Sequence, residues 1–425
     1  MVLAAWPLVG GARLTPSTAP LGKGPTIRVL LLEAPLITVG AAGKKGLQLK
    51  DPQGRTLLLL NPGQQLRLER SDGGLTVEPL PPPHSLVPAL GALPQPPPNP
   101  RLLPLQEVRL EPVDPQDVIV LKQRRYRGAL LLRPEGQGLQ AINRLPLESY
   151  LPGVVGSEMP GSWPLAALKA QAVASRTYAL QQLRPAAPFD LKATVLSQVY
   201  KGVEAETAAV RQAVAATQSQ VLMHGQQLIN AVFHSSSGGR TENSGDLWSR
   251  QMPYLVSVPD FDGASPVSRW EKDFDREALR RAFAEIGGVT TIQPLEASKT
   301  GRIRRAKVVG PGGSLVVTGP ELRERLGLRS TLVEFHFEPA GRMEPSQVAG
   351  GPPVPQTAPS GALDPSPLPE ETFGQDPDLR LVVKGRGYGH GVGMSQWGAY
   401  ALALRGKSYE DILRHYYRGA VLRSR

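Results

Sequence analysis

The 425-residue chain has no cysteine. That removes disulfide frameworks, thiolate nucleophiles and cysteine-ligated zinc together. No run reaches the eighteen or so apolar residues that a membrane-crossing helix needs, so no transmembrane segment is evident. The histidines at 84, 224, 234, 336, 390 and 415 never fall into His-Glu-x-x-His, and neither a metal nor a cofactor is expected. Ser235-Ser236-Ser237 has no glycine where a nucleophile elbow requires one, and Ser-x-x-Lys is missing from the chain, which argues against serine catalysis. Gly406-Lys407-Ser408 imitates the end of a phosphate loop, but Ala401 stands where the first glycine should be. No repeat of 20–50 residues is present.

Basic residues are in excess. Lysine and arginine number 48 against 37 acidic residues, a net charge of +11, which favours polyanionic partners. The arginines are scattered, with no zinc-finger, RNP or basic-zipper pattern, so nucleic acid is not the expected partner. Met1–Val9 is apolar, but no basic residue precedes Arg13. Read as a signal peptide, this start is short and lacks its positive region, so it leaves the export route open.

Two proline-rich stretches, 79–104 and about 339–377, lack helical or strand periodicity and read as linkers or surface insertions. Residues 1–78 are expected to form a β-rich segment, with buried strands at Ile27–Leu32 and Thr56–Leu60 and another at Gln65–Leu68. Residues 105–425 are expected to form the main domain. Its strands at Asp117–Leu121 and Ala129–Leu132 extend the β-rich N-terminal lobe, and from Pro146 helices mix with sheet. Ser162 can cap a helix carrying Leu165, Leu168, Ala172, Ala179 and Leu183 at helical spacing. A second helix is expected over about Glu204–Val221, then a strand at Leu228–Phe233 and a helix near Arg276–Ile286. Strands follow at Arg302–Val309, Ser314–Thr318, Leu332–Phe337 and Leu379–Val383. Ser408 and Asp411 form a capping box for the last helix. The fold class is α+β, a β-rich N-terminal lobe joined to a mixed helix/sheet catalytic domain.

The first chemical constellation is Tyr150–Pro160 followed by Leu168–Ala179. Glu158 sits between two helical segments, flanked by Gly156, Pro160 and Gly161 and close to Met159 and Trp163. Apolar neighbours of that kind raise a glutamate's pKa and suit it to donate a proton. Lys169 and Arg176 lie two helical turns apart on one alanine-rich stripe, where a cationic pair could hold a sugar acid. The second is Gly385-Arg386-Gly387-Tyr388-Gly389-His390-Gly391-Val392-Gly393-Met394-Ser395-Gln396-Trp397-Gly398. If extended, it bares one face and lines up Arg386, Tyr388 and His390 on the other. Ser395 and Gln396 join these three and the cationic pair as substrate-binding candidates.

These two blocks, with Tyr126-Arg127-Gly128 and Asn143–Tyr150, resemble the stage II sporulation protein D family, which includes the amidase-enhancer proteins. The likeness runs from about Arg125 to Val421. It implies a lytic transglycosylase acting on peptide-free peptidoglycan glycan strands. Glu158 would be the catalytic acid, with Lys169, Arg176, Tyr388 and His390 lining its cleft. One glutamate suffices for such a cut, because the sugar's own 6-hydroxyl supplies the nucleophile. The alternative within the same resemblance is a non-catalytic, glycan-binding enhancer of a cell-wall amidase. Both imply a place in the cell envelope, inferred from the substrate.

Overall fold

The computed structural model describes residues 24–80, 100–104, 107–339 and 379–425. Most of both proline-rich stretches, and the apolar start, lie outside the described residues. The chain divides into two compact units, Met1–Glu158 with Gln182–Arg211, and Met159–Gln181 with Gln212–Arg425. Mixed α+β character holds in both. No helix among the described residues is long and apolar enough to cross a membrane.

The first unit is mostly sheet. Seven strands run in the order Leu191–Lys192, Thr26–Ala34, Gly138–Pro146, Ala129–Glu135, Val108–Pro112, Leu47–Lys50 and Thr56–Leu60. A second sheet orders Arg124–Tyr126, Val118–Leu121, Leu36–Ala42, Gln65–Ser71, Gly74–Leu80 and Arg101–Leu103. Strands from both sides of residues 79–104 share each sheet, so that stretch interrupts one β-rich body. Alternation builds its core: Leu47, Leu49, Leu66, Leu68, Leu130 and Leu132 are all fully buried, two residues apart on their strands, as the pleat requires. Thr56–Leu60 departs from the expected buried strand. It forms the sheet's edge, and Leu59 is 63% exposed. Helix α1 (Leu147–Glu158) follows directly on Gly138–Pro146.

The second unit is built round α2 (Leu165–Gln181), whose residues from Ala170 to Ala179 are buried on every side. Small alanines let neighbours approach that closely. Helix α3 (Ala208–Ala216) carries the chain into this unit, and the expected helix to Val221 stops there. The Thr217 hydroxyl donates back to the Ala213 carbonyl, Ser219 turns at φ 62°, and Gln220–His224 becomes a strand paired with Val421–Ser424. The β-branched Val221, fully buried there, belongs to a sheet rather than a helix face. The expected strand Leu228–Phe233 is broken, with only Gln227–Leu228 and Phe233–His234 in ladders. Helices α4 (Ser244–Leu247), α5 (Arg276–Ala282) and α6 (Gly319–Arg325) follow, α5 capped by the Asp275 carboxylate. Helices α7 (Gln396–Leu404) and α8 (Tyr409–Tyr416) come next, before the strand Val421–Ser424. The Ser408–Asp411 capping box on α8 forms as expected.

Candidate functional site

In the first unit, Glu158 is the last residue of α1 rather than part of a turn between helices. Its Oε1 accepts the Val199 N–H at 2.7 Å, and the side chain is half-buried. The carbonyl end of a helix disfavours negative charge, while the Val199 amide favours it, so opposed influences meet on one carboxyl. The strap that supplies Val199 is itself fixed at successive residues. Tyr150 donates to Gln198 at 3.2 Å, Tyr200 donates to Asn143 at 3.0 Å, and the Lys201 N–H reaches Ser157 at 3.1 Å. Tyr150 and Tyr200 pack with ring centroids 4.8 Å apart. Glycine makes this closeness possible, since a Cβ on Gly153 would stand 2.5 Å from the Tyr200 ring. Below the strap, Arg127 grips the 4%-exposed Glu206 carboxylate with two bonds of 2.9 Å.

In the second unit, the strand Leu379–Arg386 ends where the glycine alternation takes over. Gly387, Gly389, Gly391 and Gly393 all have positive φ, so the segment is not the extended row expected of it. It is threaded between other chain segments. Tyr388 exchanges backbone bonds with Ser236, the Gly389 N–H reaches Arg329, and the Gly391 carbonyl accepts from Glu242. The other half of the expectation, close approach, holds. A Cβ on Gly391 would lie 2.5 Å from the Arg302 guanidinium.

Arg386 and Tyr388 are exposed, Tyr388 at 45%. His390 is half-buried. Its Nδ1 accepts the Val392 N–H at 3.1 Å, and its ring also donates to the Phe233 backbone. Burial, with His234 and the arginines Arg302 and Arg323 nearby, holds it neutral well below the ordinary histidine range. His234 is pushed down to about 3, first by burial and then by Arg302. Its Nδ1 faces the Val392 carbonyl at 3.1 Å, which can only accept, so Nδ1 carries the proton. Ser395 and Gln396 are buried, and the Ser395 hydroxyl caps α7. Arg176 is 1% exposed and directs its guanidinium to the carbonyls of Val214 and Gln220. Lys169, half-buried one turn into α2, lies 5.6 Å from the centre of the Tyr409 ring.

The Ser235–Thr241 loop rests on two buried acids that its own sequence does not reveal. Asp262 accepts from the Ser236 hydroxyl and from the N–H groups of Gly238 and Gly239 at 2.8 and 2.9 Å. Asp260 accepts from Ser237 and Tyr416, each at 2.6 Å. Glu242 and Arg302 form a third buried pair, 3.9 Å apart, and Arg302 donates to the Ser237 carbonyl at 2.6 Å. The signal was available in Pro259-Asp260-Phe261-Asp262-Gly263, a pair of acids at turn spacing following a strand-like run.

A family profile described as stage II sporulation protein matches residues 135–224. Stage II sporulation protein D of Bacillus amyloliquefaciens is 31% identical over 298 residues, 66% of this chain and 74% of that protein. The protein of the same name from Bacillus subtilis is 29% identical over 67% of this chain and 76% of its own length. An amidase enhancer of Bacillus subtilis is 30% identical over 64% of this chain and 40% of that protein. The chain belongs to the stage II sporulation protein D family.

Proposed function

We propose that this protein cuts peptide-free peptidoglycan glycan strands as a lytic transglycosylase, with Glu158 serving in turn as acid and base. The observation that carries this reading is the way Glu158 is held. A half-buried carboxyl at a helix end, gripped by one amide of a fixed strap, is oriented rather than floppy. In the reaction, Glu158 gives its proton to the glycosidic oxygen as the bond to C1 breaks. The 6-hydroxyl of the same sugar closes on C1, and its proton returns to the carboxylate. No water is consumed, and a 1,6-anhydro end results.

Tyr388 and Arg386, in the second unit, are the most exposed side chains of the glycine-rich segment and so can hold glycan. Lys169 supplies a cation for the lactyl carboxylate of muramic acid. Arg176, Ser395 and Gln396 are buried and the half-buried His390 ring is bonded to backbone, so their part is to position the surrounding chain. A substrate of this kind places the protein in the cell envelope. The test is incubation with denuded strands, read by mass spectrometry for anhydromuramyl ends. Wild type should form them and Glu158→Gln should not.

A second reading follows from the likeness to an amidase enhancer. In it the protein binds glycan and stimulates a cell-wall amidase without cutting. Glycan binding without anhydro ends, together with faster amidase turnover, would favour it.

A further inference from the structure

Three aromatic rings of the second unit pack on one another away from the glycine-rich segment's backbone clamps. Trp163 lies in the turn before α2, while Trp397 and Tyr400 are one turn apart on α7. The centroids of Trp163 and Trp397 are 4.8 Å apart at 62°, those of Trp163 and Tyr400 are 4.9 Å apart, and those of Trp397 and Tyr400 are 5.4 Å apart. Both elements are tied down by their backbones. The Trp163 N–H donates to Pro160, and the Trp397 N–H donates to Ser235, each at 3.0 Å.

Each of the three is half-buried. A cluster that served the core alone would be covered, like the fully buried Tyr150 and Tyr417. The polar atoms point the same way. Among the described residues, neither indole N–H nor the Tyr400 hydroxyl has a hydrogen-bond partner, and none of the three atoms is sealed from solvent. Buried indoles and phenols normally find partners, as Trp270 does on the Gly387 carbonyl at 2.8 Å and Tyr416 on Asp260 at 2.6 Å. A rigid apolar surface edged by three open polar groups matches the pyranose ring of an amino sugar, with C–H groups on its face and hydroxyls on its rim. Lys169, one turn into the helix that Trp163 precedes, is a cation on the same element for the acid of a muramyl residue.

We infer that Trp163, Trp397 and Tyr400 form a stacking subsite for an N-acetylhexosamine ring of the glycan strand. The inference rests on the glycan reading above and deepens it, because it says where a sugar is gripped independently of where it is cut. The test uses the full chain carrying Glu158→Gln, so that strands persist while binding is measured. The probes are tetra-N-acetylchitotetraose and denuded glycan strands, followed by calorimetry and by tryptophan fluorescence. Trp163→Ala and Tyr400→Leu should each weaken binding roughly five- to fiftyfold, in keeping with a lost aromatic anchor. Trp163→Phe, which keeps a ring, should stay within about threefold of the parent. Trp163→Ala lies in a turn, so a folded variant is expected, and a melting curve checks it. Should Trp397→Ala fail to fold, the Trp163 and Tyr400 variants still decide. Unchanged affinity in both of these would overturn the subsite while leaving cleavage by Glu158 standing. If the parent binds neither probe and wild type forms no anhydro ends, the glycan reading and the subsite fall together.

Discussion

Gly391→Ala tests whether the glycine alternation exists for backbone shape alone or for close packing as well. Gly391 has φ +82° and Gly406 has φ +77°, so a side chain at either is strained alike. Their surroundings differ. Nothing lies within 4 Å of a Cβ on Gly406, whereas one on Gly391 would meet Arg302 Cζ and Nη2 at 2.5 Å. That guanidinium cannot swing aside easily, being 2% exposed, bonded to the Ser237 carbonyl and paired with Glu242. The left-handed conformation costs an alanine about 1–2 kcal/mol, less about 0.4–1 kcal/mol regained by stiffening the unfolded chain. Overpacking a closed site adds about 1–3 kcal/mol. Gly391→Ala should therefore destabilise by about 1–4.5 kcal/mol and Gly406→Ala by about 0–1.5 kcal/mol, with the overpacking of about 1–3 kcal/mol as the difference between them. With a urea slope of about 2 kcal/mol/M, the Gly391→Ala midpoint should fall by about 0.5–1.5 M more than that of Gly406→Ala. Equal shifts in the two variants would refute the packing argument, leaving backbone shape as the whole reason for glycine at 391.

Glu158→Gln should lower the rate of anhydro-end formation by roughly 10²–10⁴-fold with stability unchanged, as for loss of a positioned acid–base; wild-type turnover in that variant removes Glu158 from the role. Tyr388→Ala, at a side chain 45% exposed, should move stability by less than about 0.5 kcal/mol while weakening glycan binding; a large loss of stability with unchanged binding would make Tyr388 structural. Glu206→Gln removes the partner of Arg127 in a bidentate pair whose acid is 4% exposed, and should cost about 1–3 kcal/mol by urea unfolding. The folded protein keeps His234 neutral down to about 3, and His390 is likewise depressed, whereas both take protons near pH 6.5 when unfolded. The unfolded state thus binds more protons below pH 6.5, so stability falls with pH from there toward 3, by about 1.4 kcal/mol per unit for each ring still neutral. His234→Asn should flatten that fall in midpoints measured between pH 7 and 5, and an unchanged slope would count against it.

The sequence carried the elements whose own residues specify them. The apolar run Ala129–Leu132 read as a strand and is one, and Ser408 with Asp411 opened α8. It failed where distant strands decide. No glycine or proline marks the turn at Ser219, where the chain leaves the helix for a strand paired with Val421–Ser424, about two hundred residues away. The same holds for Thr56–Leu60, whose leucines read as buried until the sheet order puts them at an edge and leaves Leu59 in solvent. The glycine-rich segment is the reverse case. Its regular spacing suggested a strand, but the positive φ from Gly387 onward needs glycine for a different reason than the bare face of a ladder.

The candidate residues divide along the same line. A glutamate at a helix end and a tyrosine at the surface are visible as chemistry in the sequence, and both side chains keep contact with solvent. Arg176 and His390 were visible too, but their chemistry turns inward. The Arg176 guanidinium holds the Val214 and Gln220 carbonyls, and the His390 ring is engaged by the backbone of Val392 and Phe233. A charged or titratable type at a motif position therefore has two physical uses that sequence does not separate. One is to meet a ligand, and the other is to hold together a loop too rich in glycine to hold itself. Asp260 and Asp262 belong to the second use, and their five bonds to Ser236–Gly239 and to Tyr416 fix a loop with two positive-φ glycines. The glycines that let the backbone approach closely and the buried polar groups that pin it are one device. Exposure, not residue type, then separates Arg386 and Tyr388 from the buried Ser395 and Gln396 of the same segment.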